Sequence, residues 1–215
     1  MIGLKLVLTL YLAIAAVTVN AQPPVWQKLV DAVEGSRVEI EYIYRTASTS
    51  GEGVDGSLSM QGKAFDIEYG DLSIVSDGSS VWTLDKGAKE AVAEDAGSNS
   101  LFTVNPLLYL YEWQDYFTFK SSRDYVSEGV KSCDLTFISK DAPMVSSSAR
   151  NPVTVVVSIA IKKDSTPKVV SLRFSGSIDA EIAVTAMDYL PRSSDMSRYS
   201  VRGLDSSWVV TDLRQ

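Results

Sequence analysis

The sequence predicts a mainly β protein of the α+β class, built on one antiparallel sheet, with a helix before the sheet and a second helix in the middle of the chain. Three observations lead to this fold class. Apolar and polar residues alternate over many short segments, which is the period of a half-buried strand. Turn-forming residues separate these segments, so consecutive strands form hairpins and pair antiparallel. Only two segments, residues 25–35 and 105–116, carry helical features.

The first 21 residues have the composition of a secretory signal peptide. Lys5 precedes an apolar run, and the small residues Val19 and Ala21 fit the usual cleavage pattern. A retained transmembrane helix is the alternative, because the apolar run is long. Since Gln22 and not a cysteine follows the cleavage position, the mature protein is not expected to carry a lipid itself. Residues 22–215 then form a single domain, which is long enough for a substantial core.

Composition excludes several classes of function. The chain has no histidine, which excludes Ser-His-Asp and Cys-His catalytic sites and the usual histidine-containing metal sites. It has 20 basic and 27 acidic residues, with a net charge of −7, and no run of lysine and arginine that would bind a phosphate backbone. Nucleic acid is therefore not an expected partner. Cys133 is the single cysteine, so no internal disulfide is possible, and we expect it to be buried.

The elements follow in order along the chain. A first helix is predicted from apolar residues at helical spacing, with Gly35 at the position of a C-terminal cap. Strands are predicted from alternation over 38–44, 54–60, 65–69, 72–74 and 81–84, and later over 117–120, 135–139, 153–161, 169–174 and 178–186. Roughly ten strands result, and a sheet of that size usually curls.

A second helix is predicted to begin at Asn105 and Pro106, since Asn is a favoured N-cap and Pro a favoured first helical residue. Its following residues are apolar around most of the helix, so it must be covered on more than one side. In the hairpin before it, Asp77 and Gly78 supply a tight turn. Trp82 follows this turn, and we expect its side chain on the inner face of the sheet.

The order and spacing of several motifs resemble the LolA family of periplasmic outer-membrane lipoprotein carriers. The motifs are Gly56-x-Leu58, Lys63-x-Phe65, Ser76-Asp77-Gly78-x-x-x-Trp82-x-Leu84 and Asn105-Pro106-Leu107-Leu108, and the match runs from about residue 25 to about residue 190. The turn with Trp82 four residues after Gly78 is its most specific part.

The resemblance implies a fold and a function. The fold is an incomplete antiparallel β-barrel, or half-barrel, whose helices cover a hydrophobic cavity. The protein would be a monomeric periplasmic carrier that takes acylated lipoproteins from an inner-membrane lipoprotein-releasing ABC transporter, without a cofactor, a metal or catalysis. Whether an outer-membrane acceptor exists stays open. In proteobacterial members of the family, an arginine near the end of the second hairpin strand bonds to the lid and helps to govern release. This chain has Lys63 there, which is the candidate for that latch.

An acyl-chain carrier needs an enclosed apolar surface, because a sixteen-carbon chain represents on the order of 10 kcal/mol of unfavourable hydration. The candidate residues for this surface are apolar positions on the sheet and on the second helix. They are Leu58, Met60, Phe65, Ile67, Trp82, Leu84, Leu107, Leu108, Leu110 and Tyr111. Taken singly, each of these residues also fits an ordinary core position.

Two alternatives to lipoprotein carriage remain. The same half-barrel could carry or sense another lipid or a glycolipid, with a wider polar mouth for a large headgroup. An enzyme would depend on carboxylates such as Glu39, Glu41, Asp66 and Glu68. These residues alternate with the apolar positions, and the solvated face of a strand is the simpler interpretation.

Overall fold

The computed structural model describes residues 22–46, 51–96, 113–140, 152–163, 165–176 and 179–214. It contains helix α1 (Pro24–Gly35), strands β1 (Arg37–Thr46), β2 (Val54–Gln61), β3 (Ala64–Tyr69), β4 (Leu72–Ser76), β5 (Ser80–Asp85) and β6 (Glu90–Asp95), the single turn of helix α2 (Trp113–Tyr116), and strands β7 (Phe117–Ser127), β8 (Val130–Ser139), β9 (Thr154–Ile161), β10 (Lys168–Ser175), β11 (Ala180–Leu190) and β12 (Val209–Asp212). None of the helices within these residues is long and apolar enough to span a membrane.

All twelve strands belong to one sheet, in the order β12-β6-β5-β4-β3-β2-β1-β11-β10-β9-β8-β7. Eleven strands pair antiparallel with their neighbours, and β12 alone joins β6 in parallel. The sheet is open, because its edge strands β12 and β7 do not pair with each other. The predicted fold class, mainly β with one sheet that does not close into a barrel, is confirmed. The predicted number of strands was too low, since β6 and β12 were missed.

Helix α1 covers one face of this sheet, which we call the inner face. Its residues Trp26, Leu29 and Val33 recur at helical spacing and are buried, whereas the opposite side of the helix is exposed. Pro24 is its first residue, a position at which the missing N–H of proline removes no helical hydrogen bond. The predicted cap is corrected: Gly35 is the last helical residue, and Ser36 is the C-cap, whose N–H donates to the carbonyl of Val33 at 3.4 Å.

Residues 191–208 cross the opposite, outer face and lead to β12. The Gln61 side chain fixes the start of this segment: its amide donates to the carbonyl of Ser193 at 2.8 Å and accepts from the Ser193 N–H at 2.7 Å. The buried Tyr199 then shares a hydrogen bond of 3.1 Å with the Ser59 hydroxyl. Nothing in the alternation pattern predicted this segment, which we call the C-terminal strap. It covers polar residues of β2, so both faces of the sheet are partly protected from solvent.

Candidate functional site

The inner face carries a continuous apolar surface across the first four strands. Strand register aligns Ile40 of β1 with Leu58 of β2, Leu58 with Ile67 of β3, and Ile67 with Ile74 of β4. In the next row Met60 lies opposite Phe65. Four of the predicted site residues, on β2 and β3, therefore form adjacent pairs on one surface. They are Leu58, Met60, Phe65 and Ile67, and each is at most 7% exposed.

A cluster of aromatic rings lies beneath α1, at the other side of the inner face. The Trp26 ring centroid is 4.8 Å from that of Phe137 and 5.4 Å from that of Trp113. Trp113 also stacks on Phe117 at 4.4 Å. These rings join α1, α2 and strands β7 and β8, because offset and edge-to-face contacts at such distances are favourable. Trp113 lies in the predicted second helix, of which the structure describes residues 113–116, and its side chain packs into the core.

The indole nitrogen of Trp113 is a buried donor without an acceptor in the described part of the chain. Its Nε1 is inaccessible to solvent and makes no hydrogen bond within the described residues, and the whole residue is 1% exposed. Leaving a buried N–H unpaired costs about 1–3 kcal/mol, so most buried polar groups in proteins find a partner. An acceptor supplied by a ligand or by water would remove this cost.

Trp82 and Leu84 lie on the outer face, and the prediction that they lie on the inner face is wrong. Ser76 of β4 lies opposite the inner-face residue Phe65, and the partner of Ser76 on β5 is Val81, so Val81 lies on the inner face. Trp82 therefore pairs with Val75 and points the other way. The sequence was ambiguous here because Val81 and Trp82 are both apolar, so that alternation fitted either face.

The C-terminal end of the chain reaches Trp82 on that outer face. The guanidinium carbon of Arg214 lies 5.1 Å from the centre of the Trp82 ring, within the range of a cation–π contact. Arg214 also forms an ion pair of 2.6 Å with Asp212 in β12. The tryptophan after the turn is thus part of the contact between the sheet and the residues that follow β12.

The remaining predicted site residues are placed as follows. Leu107, Leu108, Leu110 and Tyr111 lie outside the described residues. Lys63, the candidate latch, lies in the exposed turn between β2 and β3. This turn adjoins Gly78, since a Cβ added to Gly78 would be 3.4 Å from the Cβ of Lys63. The turn with Lys63 and the turn with Gly78, which belong to two of the quoted motifs, therefore meet at one end of the sheet.

The turn at Asp77 has the conformation that its residues predict. Gly78 has a φ of 94°, which glycine adopts without strain. The Asp77 carboxylate accepts hydrogen bonds from the N–H groups of Ser80 at 2.9 Å and Ser79 at 2.8 Å. These bonds favour the charged form and hold the pKa of Asp77 below its ordinary value of 3.8.

Cys133 is buried on the inner face, as predicted, and it is 1% exposed. Burial, followed by the neighbouring Asp124 carboxyl group, raises the pKa of its thiol to about 12. A thiol with this pKa is almost entirely protonated at neutral pH, and the thiolate is the reactive form. Cys133 therefore behaves as a small apolar core residue.

The carboxylates considered for catalysis lie on the outer face. Glu39 is paired with Arg37 at 3.2 Å and with Arg198 of the strap at 2.7 Å. Glu68 forms an ion pair with Lys86. Burial, and next the Glu68 charge, raises the pKa of Asp66. No group of three or more potential metal ligands converges among the described residues. The contacts of Glu39 and Glu68 are those of solvated strand residues and of strap attachment.

Comparison with known proteins gives matches to solved structures alone. Neither a protein-family model nor a curated protein sequence matches the chain. The lipoprotein LppX of Mycobacterium tuberculosis is 15% identical, with a TM-score of 0.45 over 81% of this chain and 100% of LppX. The LolA superfamily protein NE2245 of Nitrosomonas europaea is 8% identical, with a TM-score of 0.46 over 82% of this chain and 96% of NE2245.

A third match is the Pseudomonas aeruginosa MucA/MucB complex. It is 9% identical and has a TM-score of 0.33 over 80% of this chain and 59% of the matched chain. All three similarities concern the fold alone, given their low identity. The LolA superfamily, which the sequence motifs resemble, is represented among these similar structures by NE2245.

Proposed function

We propose that this protein is a periplasmic carrier that shields the acyl chains of lipoproteins on its inner face and moves them from the inner to the outer membrane. The observation that carries the proposal is the combination of a broad apolar inner face with the Trp113 N–H beneath α1, which has no acceptor among the described residues. An acyl ester supplies both complements, an apolar chain for the surface and a carbonyl acceptor for the indole. The proposal includes no catalytic step.

Release is part of the same proposal. A carrier must give up its cargo, so the cover over the inner face must be movable. Only Trp26, Leu29 and Val33 of α1 are buried, which makes this helix a narrow cover for a sheet of twelve strands. The second helix and the turn that carries Lys63 are the other proposed parts of the release device. An ABC transporter is the proposed donor of the lipoprotein.

Equilibrium binding of a triacylated lipopeptide to residues 22–215 tests the proposal, with the same peptide lacking acyl chains and a free phospholipid as comparisons. Binding of the acylated peptide alone supports lipoprotein carriage. Binding of phospholipid alone supports the second candidate, a carrier of another acylated lipid. A groove lined by four lysines between α1 and the ends of β8 and β9 favours this candidate. If none of the three binds, the proposal is wrong.

A matched pair of variants locates the bound chains. Leu58 on the inner face and Leu84 on the outer face are both buried, at 1% and 6% exposed. Leu58→Ala and Leu84→Ala remove the same atoms, and each lowers the free energy of unfolding by about 2–5 kcal/mol. Only Leu58→Ala is expected to weaken binding of the acylated peptide. Equal effects of the two variants on binding would contradict the assignment to the inner face.

A further inference from the structure

A groove of about 1060 Å³ opens between α1 and the ends of β8 and β9. Four lysines line it: Lys28 from α1, Lys131 from the start of β8, and Lys162 and Lys163 from the turn after β9. One acidic residue, Asp31, shares this lining, so the described part of the groove carries three net positive charges, four minus one. The chain as a whole has a net charge of −7. The fold thus gathers positive charge that is not clustered in the sequence.

The lysines of the groove are not paired with carboxylates in the part of the chain that the structure describes. Within the described residues, none of the four has a carboxylate oxygen within salt-bridge distance. Asp164 follows Lys163 in the sequence and lies outside the described residues; counting it as well leaves an excess of two positive charges. A cleft lined by one sign of charge concentrates the field at its centre more than a flat surface does.

The walls of the groove are held by the fold. The Ser165 N–H and hydroxyl both donate to the carbonyl of Lys162, at 3.3 and 3.0 Å, which fixes the turn that carries two of the lysines. The Tyr189 hydroxyl donates to the carbonyl of Pro167 at 2.6 Å and anchors the far wall. Lys162, next to Lys163, is therefore tied to Ser165 by two hydrogen bonds.

The groove adjoins the apolar inner face. Lys131 lies opposite Ile161, and the next inner-face pair along these strands is Cys133 opposite Ile159, both fully buried. Phe137 of the aromatic cluster lies six residues after Lys131 along β8, which is roughly 20 Å at the rise of a strand. A molecule with its charged end in the groove would extend its apolar part under α1 towards Trp113. The lysines that would bind the charged end and the apolar residues that would bind the chains thus follow one another along β8.

We propose that the groove binds the phosphate group of an anionic acylated lipid whose chains lie on the inner face. Lysine ammonium groups bind phosphate as point charges, and four of them exceed the charge of one phosphodiester. The inference rests on the part of the proposed function that both candidates share, which is acyl-chain binding to the inner face. It concerns the second candidate, a carrier of another acylated lipid.

Calorimetric titration of residues 22–215 tests the proposal with two lipids of identical chains, dihexanoyl phosphatidylglycerol and dihexanoyl phosphatidylcholine, each below its micelle-forming concentration. The anionic lipid is expected to bind at least about tenfold more tightly at low salt, with the difference shrinking as salt screens the lysines. Glycerol phosphate and inorganic phosphate are titrated in parallel. Binding of these two as tight as that of phosphatidylglycerol would overturn the lipid assignment and leave a site for free phosphate.

A pair of variants with equal loss of charge completes the test. The groove variant combines four changes in the groove: Lys28→Gln, Lys131→Gln, Lys162→Gln and Lys163→Gln. The control variant combines four changes at exposed lysines elsewhere: Lys86→Gln, Lys89→Gln, Lys120→Gln and Lys140→Gln. Only the groove variant is expected to lose the preference for the anionic lipid, with phosphatidylcholine binding unchanged.

The outcomes separate the two proposals. If both lipids bind equally to the unmodified protein, or if the control variant loses the preference as much as the groove variant does, the headgroup site is refuted while acyl binding stands. If neither lipid binds, acyl binding and the headgroup site are both refuted. Unfolding by urea checks that the two variants are folded under the titration conditions.

Discussion

Replacing Gly56 with alanine is expected to destabilise the inner face through one steric conflict. Gly56 lies opposite Tyr42 in the pairing of β1 with β2, and the Tyr42 ring covers it. A Cβ at this position would lie 2.4 and 2.5 Å from two carbon atoms of the Tyr42 ring and 2.7 Å from its hydroxyl oxygen, whereas ordinary contacts are 3.4–4 Å. Since the conflict is with a ring that is 2% exposed, the ring cannot swing into solvent.

The magnitude follows from two opposing effects. Overpacking a well-filled core costs about 1–3 kcal/mol. Gly→Ala also reduces the entropy of the unfolded chain, which stabilises by about 0.4–1 kcal/mol where the backbone accepts alanine. Gly56 has no positive φ, so its backbone accepts alanine and the conflict is purely steric. The net result expected for Gly56→Ala is a loss of about 1–2 kcal/mol in the free energy of unfolding.

Urea denaturation followed by far-UV circular dichroism measures this loss, with Gly35→Ala as the matched control. A Cβ at Gly35 would meet nothing within 4 Å, and Gly35 also lacks a positive φ. The control is therefore expected to be neutral or slightly stabilising. In a Tyr42→Leu background, the Gly56→Ala change is expected to cost less, because the ring is gone. A Gly56→Ala variant as stable as Gly35→Ala would refute the steric reasoning.

Three further predictions concern single residues. In a variant that keeps Trp82 as its only tryptophan, fluorescence is expected to stay unchanged on saturation with an acylated peptide, whereas a variant that keeps Trp113 changes; a shift at Trp82 would contradict its outer-face position. Cys133 is expected to resist iodoacetamide at pH 8 until urea unfolds the protein, because its pKa of about 12 keeps the thiol protonated; labelling of the folded protein at the rate of a free thiol would disprove this. The Asp77 pKa is lowered in the folded state, so its charge stabilises the turn above the unfolded pKa near 3.8, and this contribution is lost as pH falls through the lowered pKa. Urea unfolding of the parent and of Asp77→Asn should therefore differ at pH 7 and converge in acid, and a difference independent of pH would count against the turn geometry.

The predicted strands with clear alternation were found, and the two missed strands lack that signal. β6 presents Ala91 and Ala93 to the outer face, and alanine is too weakly hydrophobic to mark a buried side. β12 is exposed at all four residues, so no burial pattern could reveal it. Its pairing with β6 is a long-range contact that only the folded chain creates.

Part of the candidate site could be predicted in the same way. The alternation in β2 and β3 was clean, so Leu58, Met60, Phe65 and Ile67 were correctly grouped on one face. The prediction failed for Trp82, where consecutive apolar residues made the face ambiguous and register decided it. The role of the four residues on β2 and β3 in acyl binding remains a prediction that the binding experiments test.

The sequence by itself determined the fold class, the first helix, most strands, the Asp77 turn and the buried state of Cys133, because each depends on local periodicity or on the preference of one residue for its backbone conformation. The tertiary structure alone decided which face Trp82 occupies, where the C-terminal strap lies, and that lysines separated by up to 135 positions line one groove with Asp31. These features depend on strand register and on contacts between distant segments, and a local pattern carries no information about either.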